Sequence, residues 1–183
     1  MTKVFVGGSR HLSKLNGDVR QRLDQIMNKR FPILIGDANG ADKAVQSYLS
    51  HAGYDLVEVF CMDGGCRNNI GNWTTHVVKA KNNVKGFEYY SLKDAEMTIA
   101  SSVGFMLWDG KSRGTLENVC RLVDHGKSVL VYIAPTREFR SVRSKNDLGE
   151  LRSSRLSTIP KQIKRPRNVP RPKELMTHTA ELF

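Results

Sequence analysis

The chain has little that would take it into or across a membrane. Its 183 residues hold no apolar run near the ~18 needed to span a bilayer. The opening MTKVFVGGSR lacks the charged, then apolar, then small-residue order of a secretory signal. Cysteine is scarce too: Cys61, Cys66 and Cys120 form an odd count without framework spacing, which points to a reducing, cytoplasmic setting. Cys61 and Cys66 make half a metal site with no second pair to complete it, so ordinary thiols are expected and no metal or cofactor is implied. Mg²⁺ would enter only with a phosphate-bearing ligand. Also missing are the GxxxxGKS/T and GxGxxG loops, any internal repeat, and a Ser-His-Asp pattern that would suggest a hydrolytic triad.

What is present begins with charge. Lys plus Arg outnumber Asp plus Glu by 29 to 18, a net +11. The excess is uneven, since residues 1–135 carry +4 and residues 136–183 carry +7. A mildly basic body with a strongly basic extension suits a polyanionic partner such as nucleic acid, and equally a solvated tail. Three of the six prolines fall in KQIKRPRNVPRPKELM, residues 161–176. That spacing rules out a helix interior and favours an extended arm. Leu148 and Leu151 hint at a short helix before it.

Five short runs read as strands: KVFVG at 3–7, FPILIG at 31–36, DLVEVF at 55–60, VGFMLW at 103–108 and SVLVYIA at 128–134. They are nearly continuous rather than alternating, as strands buried on both faces are. Between them lie helical periods, at Val19, Leu23, Ile26 and Met27, at Ala41, Ala44, Val45 and Leu49, and at Leu116, Val119, Cys120 and Val123. The stretch from Cys61 to Ser102 is too long for a bare loop and is expected to hold helices near Trp73–Lys81 and Leu92–Ser102. Strand alternating with helix predicts an α/β, Rossmann-like fold: a mainly parallel sheet of about five strands with helices on both faces. The expected division is a domain at 1–135 and a basic, Pro-rich extension at 136–183.

Ligands of such sheets sit beyond the carboxyl ends of the strands, so those loops carry the functional expectation. After the first strand come Gly7, Gly8, Ser9 and Arg10, and Arg10 brings a planar fork suited to phosphate. After the second come Gly36, Asp37, Gly40 and Asp42. The third is followed by Arg67 and Asn68. The fourth leads into Asp109, Gly110, Lys111, Ser112, Arg113, Gly114 and Thr115. A glycine after a strand ordinarily just makes the turn, and an Asp or Ser there ordinarily caps a helix. Four such loops converging on one edge, with helix N-termini and guanidinium groups, make an anion pocket. Ser112 or Thr115 is expected to cap the last helix, with Lys111 or Arg113 supplying charge. Trp108, Trp73, Tyr89 and Tyr90 are candidate shelf or lid aromatics, and His11 is the histidine beside the site.

The set VGGSR, GDANGAD, RNN and WDGKSRGTLEN resembles the SLOG superfamily, Rossmann-like proteins related to the LOG phosphoribohydrolases and the DNA-processing DprA/SMF proteins. The likeness is to its small bacterial branch and covers roughly residues 3–134. The resemblance implies a pocket for a nucleotide or nucleotide-derived ligand, with Gly114 and Thr115 on its phosphate, and a homodimer paired through helices. The LOG pattern PGGxGTxxE departs here. Gly114 and Thr115 are kept, Lys111 and Ser112 replace two glycines, and Asn118 stands where the pattern has Glu. Asn118 can hydrogen-bond a ribose but cannot act as a base. Glu117 is turned by about 100° on the helix, which leaves Asp37 and Asp42 as candidate acids or bases. Three readings follow, in this order: a binding domain that senses or sequesters a nucleotide-like signal, an N-glycosidic hydrolase using Asp37, Asp42 or Glu117, and a nucleic-acid-associated protein using the basic tail.

Overall fold

A computed structural model describes residues 1–80 and 84–157. Its elements run β1 (Val4–Gly8), α1 (Gly17–Asn28), β2 (Ile33–Gly36), α2 (Ala41–His51), β3 (Val57–Met62) and β4 (Thr74–Val78). There follow α3 (Gly86–Ala100), β5 (Val103–Trp108), α4 (Arg113–Asp124), β6 (Val129–Ile133), β7 (Glu138–Val142) and α5 (Lys145–Ser157). The strands form one sheet in the order β4-β3-β2-β1-β5-β6-β7. Every neighbouring pair is parallel except β6 with β7. From β1 the chain steps outward to β4, then returns to lay β5 on the other side of β1. The switch in direction therefore falls between β1 and β5, where an open α/β sheet has its ligand crevice.

Both-face burial explains the continuous apolar strands. Along β1, Val4 and Val6 join the core under α1 and α2, while Phe5 joins the core under α3, α4 and α5. Phe105 and Leu107 of β5 point to the first core, and Met106 and Trp108 to the second. α1 closes the first core with Val19, Leu23 and Ile26, and α4 closes the second with Val119, Leu122 and Val123.

Three expectations about the elements change. Where a helix is expected near Trp73–Lys81, residues 73–80 hold none: Thr74–Val78 is the edge strand β4, whose β-branched residues suit an extended backbone. Helix α3 starts at Gly86, earlier than expected. The sheet also has seven strands rather than five, and two described elements follow residue 135. β7 pairs antiparallel with β6, and α5 packs on α4 and β7 with Leu148 and Leu151 buried. Of the expected basic extension, residues 158–183 lie outside the described residues. Among the described residues no helix is long and apolar enough to cross a membrane.

Cys61 and Cys66 are joined as a disulfide, which corrects the expectation of thiols at these two positions. The turn through Gly64 and Gly65, closed by the Gly65 N–H on the Met62 carbonyl at 3.0 Å, folds the chain back after β3. It leaves the two Cα atoms 5.1 Å apart, within disulfide reach. Cys120 is a free thiol.

Candidate functional site

A cavity of about 670 Å³ opens at the carboxyl ends of β1, β2 and β5, walled by α3 and the start of α4. That is within the size range of small-molecule sites, about 300–1,000 Å³. The four loops singled out in the sequence do converge there. Gly8, Ser9 and Arg10 line it from β1, Gly36 and Asp42 from β2 and α2, and Arg67 from beyond β3. Ser112, Gly114, Thr115 and Asn118 line it from α4. Other expected residues stand behind this wall and shape it.

Asp37 is one of these. It is 2% exposed and held by Arg67, whose backbone N–H and Nε donate to Oδ2 at 3.1 Å each and whose Nη2 donates to Oδ1 at 2.6 Å. Burial pushes the Asp37 carboxyl up, but the Arg67 hydrogen bonds and the nearby Lys93 charge outweigh it and hold the group below its ordinary value. Asn68 fastens the same loop, donating to the Asp37 carbonyl at 2.7 Å and to Asn39 at 3.1 Å. Gly40 adopts φ 85°, and a Cβ there would run into the Arg10 carbonyl, so only glycine lets the first two loops touch.

Asp109 organises the last loop. Its Oδ1 accepts from the backbone N–H of Lys111 at 2.9 Å and of Ser112 at 2.6 Å, and Oδ2 accepts from Ser9 Oγ at 2.7 Å. Burial raises this carboxyl, and those hydrogen bonds more than offset it, so it lies below the ordinary range. His11 Nδ1 adds a contact at 3.2 Å. Asp109, Gly110 and Lys111 thus build the turn rather than line the cavity. Ser112 caps α4, its Oγ accepting from Thr115 N at 3.3 Å and Thr115 Oγ1 at 3.0 Å. Glu117 lies outside the cavity lining and is tied to Arg121 at 2.6 Å.

The aromatics divide in the same way. Trp108 is core, 1% exposed, with Nε1 donating to the Ser112 carbonyl at 3.1 Å. Trp73 packs at the α2 side and donates to the Tyr54 carbonyl. Tyr89 donates to Asp63 at 2.6 Å. Tyr90 lines the cavity between two guanidinium groups, Arg67 at 4.4 Å and Arg10 at 5.6 Å from its ring centre.

Sequence reasoning missed the charged side chains of α3. Lys93, 4% exposed, reaches the cavity floor and meets Asp94 Oδ1 at 3.0 Å and Asp37 Oδ1 at 3.8 Å. Asp94 Oδ2 accepts from Asn118 Nδ2 at 3.0 Å. A Cβ on Gly36 would lie 2.5 Å from Asp42 Oδ2 and 2.6 Å from Lys93 Nζ, so the missing side chain there is what admits this cluster. Asp42 is 7% exposed. Burial raises its carboxyl, the Lys93 charge pulls it down and the Asp94 and Asp37 charges push it up, to about 6 in all. Lys93 moves the other way. Burial disfavours its charge, but Asp94, Asp42 and Asp37 together raise its pKa above the ordinary lysine value. The signal that could have revealed Lys93 is its spacing from Tyr90 and Met97, which puts a lysine on the inward stripe of the helix. Phe87, which carries Arg113 at 5.2 Å from its ring centre, completes the outer wall.

The cavity is therefore polarised. Arg10, His11, Arg113 and the α4 N-terminus stand at its mouth; Asp42, Lys93 and Asp94 form its floor. Arg10 has no carboxylate within ion-pair distance among the described residues, and Arg113 reaches Glu117 only at 4.0 Å. Among the described residues no group of three or more His, Cys, Asp and Glu is arranged to hold a metal ion. Comparison with protein-family models and with curated proteins finds no match to the chain.

Proposed function

We propose that the protein binds a nucleotide or nucleotide-derived ligand at the carboxyl edge of its parallel sheet, as a sensing or sequestering domain. The observation that carries this reading is the pairing of an uncompensated guanidinium, Arg10, with the capped N-terminus of α4 on one cavity wall. Helix N-termini and guanidinium forks both favour phosphate. The cavity volume and the SLOG-like order of the loops point the same way. A thermal-shift screen against nucleoside mono-, di- and triphosphates, ADP-ribose derivatives and cyclic nucleotides tests it, with chromatography of each hit for released base. A ligand that stabilises the protein and is recovered intact supports a sensor. Arg10→Ala is expected to abolish the shift, and a shift that survives this substitution overturns the reading.

One observation favours hydrolysis of an N-glycosidic bond as a second reading. Asn118, in the position where the LOG pattern has Glu, holds the carboxylate of Asp94 at 3.0 Å. A carboxylate is thus supplied at that corner from α3 instead of α4. Asp42, with its pKa of about 6, is suited to protonate a departing base while water adds to the sugar carbon and gives up its proton to the carboxylate of Asp94. Asp37 and Glu117 are less suited, because Arg67 and Arg121 occupy them. Free base appearing in the chromatography selects this reading over the first.

A further inference from the structure

The floor of the cavity holds a carboxylate that the protein does not satisfy. Asp42 is more than nine-tenths buried and lines the cavity. Its side chain takes one hydrogen bond among the described residues, from the Ala38 N–H to Oδ2 at 3.2 Å. Oδ1 has no donor there. An ionised carboxylate has about four lone-pair sites, and no buried side-chain N or O atom among the described residues lacks a partner, so the unfilled sites of Asp42 open into the cavity and are left for its contents. Asp94 stands beside it with one oxygen on Lys93 and the other on Asn118, each with acceptor capacity left over. Among the described residues Lys93 is the one cation of this floor, and it already serves Asp94 and lies close to Asp37. With the Asp37 charge matched by Arg67, Asp42, Asp94 and Lys93 leave the floor one negative charge in excess when all are ionised.

We infer that the ligand inserts its sugar end first, with two vicinal hydroxyls of an unmodified ribose donating to Asp42 and Asp94 and its phosphate outward at Arg10 and the α4 N-terminus. This rests on the binding reading above and narrows its ligand class. A floor of two carboxylates around one ammonium, negative overall when ionised, rewards O–H donors and repels a second anionic group. Nucleotides phosphorylated or cyclised through the 2′ or 3′ oxygen are therefore excluded, and ribonucleotide 5′-phosphates are preferred over their deoxy counterparts. The mouth does not make this distinction, because Arg10, Arg113 and the backbone N–H groups of α4 meet only the phosphate.

The test is isothermal titration of the full chain with AMP, GMP, CMP and UMP, with the 2′-deoxy and 3′-deoxy forms of whichever binds, and with its 3′,5′-cyclic form. Loss of one hydrogen bond to a charged acceptor predicts about tenfold weaker binding for each deoxy form, and no binding of the cyclic one. Asp42→Asn and Asp94→Asn should bring the ribo-to-deoxy ratio close to one while inorganic pyrophosphate still competes as well as with the parent. The two substitutions act on different elements, so a folding defect in one leaves the other to decide. Equal binding of ribo and deoxy forms by the parent protein overturns the inference and leaves the binding reading standing. Binding of none of the four overturns the inference, and the binding reading falls with it when the thermal-shift screen is blank as well.

Discussion

Helices α3 and α4 lie side by side against the same face of the sheet and bury opposite kinds of side chain. α4 turns Val119, Leu122 and Val123 inward and keeps its buried polar groups, Thr115 and Asn118, to its cavity end, where Ser112 caps it. α3 turns Lys93 and Thr98 inward beside Met97. The first stabilises the fold and offers its end to the site. The second gives up part of its apolar contact to place charge under the site, and depends on its neighbours to make that charge tolerable. The contrast shows how the two tasks are shared out in this crevice.

Lys93→Met should sharpen the contrast most. It strands Asp42 and Asp94 without a cation, and breaking a buried pair this way costs about 4 kcal/mol. Urea unfolding at pH 7 should show that loss, and the loss should shrink towards pH 5 as Asp42 takes up its proton. Leu122→Ala tests the other helix. Leu122 is fully buried, and truncation should cost about 3 kcal/mol by the cavity it leaves, with ligand affinity per folded molecule unchanged.

Asp42→Asn should act in the opposite sense. The folded carboxyl titrates near 6 against an ordinary 3.8, so the folded state holds this proton more tightly than the unfolded one. Stability therefore falls as pH rises between those values, and the penalty is complete above the higher one. The amide removes the penalty, so the variant should be more stable than its parent by about 3 kcal/mol at pH 7 and indistinguishable from it below pH 4. Equal stabilities at pH 7 would mean that Asp42 is better compensated than its surroundings indicate. Ser112→Ala should be the mildest change, a lost helix cap worth about 1 kcal/mol, read as a small drop in melting temperature.

The same division governs what could be read from the sequence. β1, β2, β3, β5 and β6 were legible because burial on both faces left almost nothing polar in them. β4, with four of its five residues exposed, and β7, with Glu138 and Arg140, are edges and carry no such run. α4 announces itself by its stripe. α3 does not, since Lys93 interrupts the period that would reveal it. The glycine-rich loops were found because strand ends are where crevices form. Lys93 and Asp94 were missed because they reach the same crevice from the middle of a helix 25 or more residues from the nearest of those loops in sequence before them. The Cys61–Cys66 bridge depends on a turn that the spacing alone does not specify.

The strand that opens the chain ends up in the middle of the sheet, between β2 and β5, with Val4 paired to Ile33 on one side and to Val103 on the other. The second pairing waits until most of the body has been made, and contacts so distant along the chain are slow to form. During synthesis β1 must stay unpaired on that side, an apolar edge that is open to wrong partners until β5 arrives. The cavity straddles this seam. It comes into being with the pairing of β1 to β5, so a molecule able to hold a ligand is by construction one whose first strand has both its neighbours.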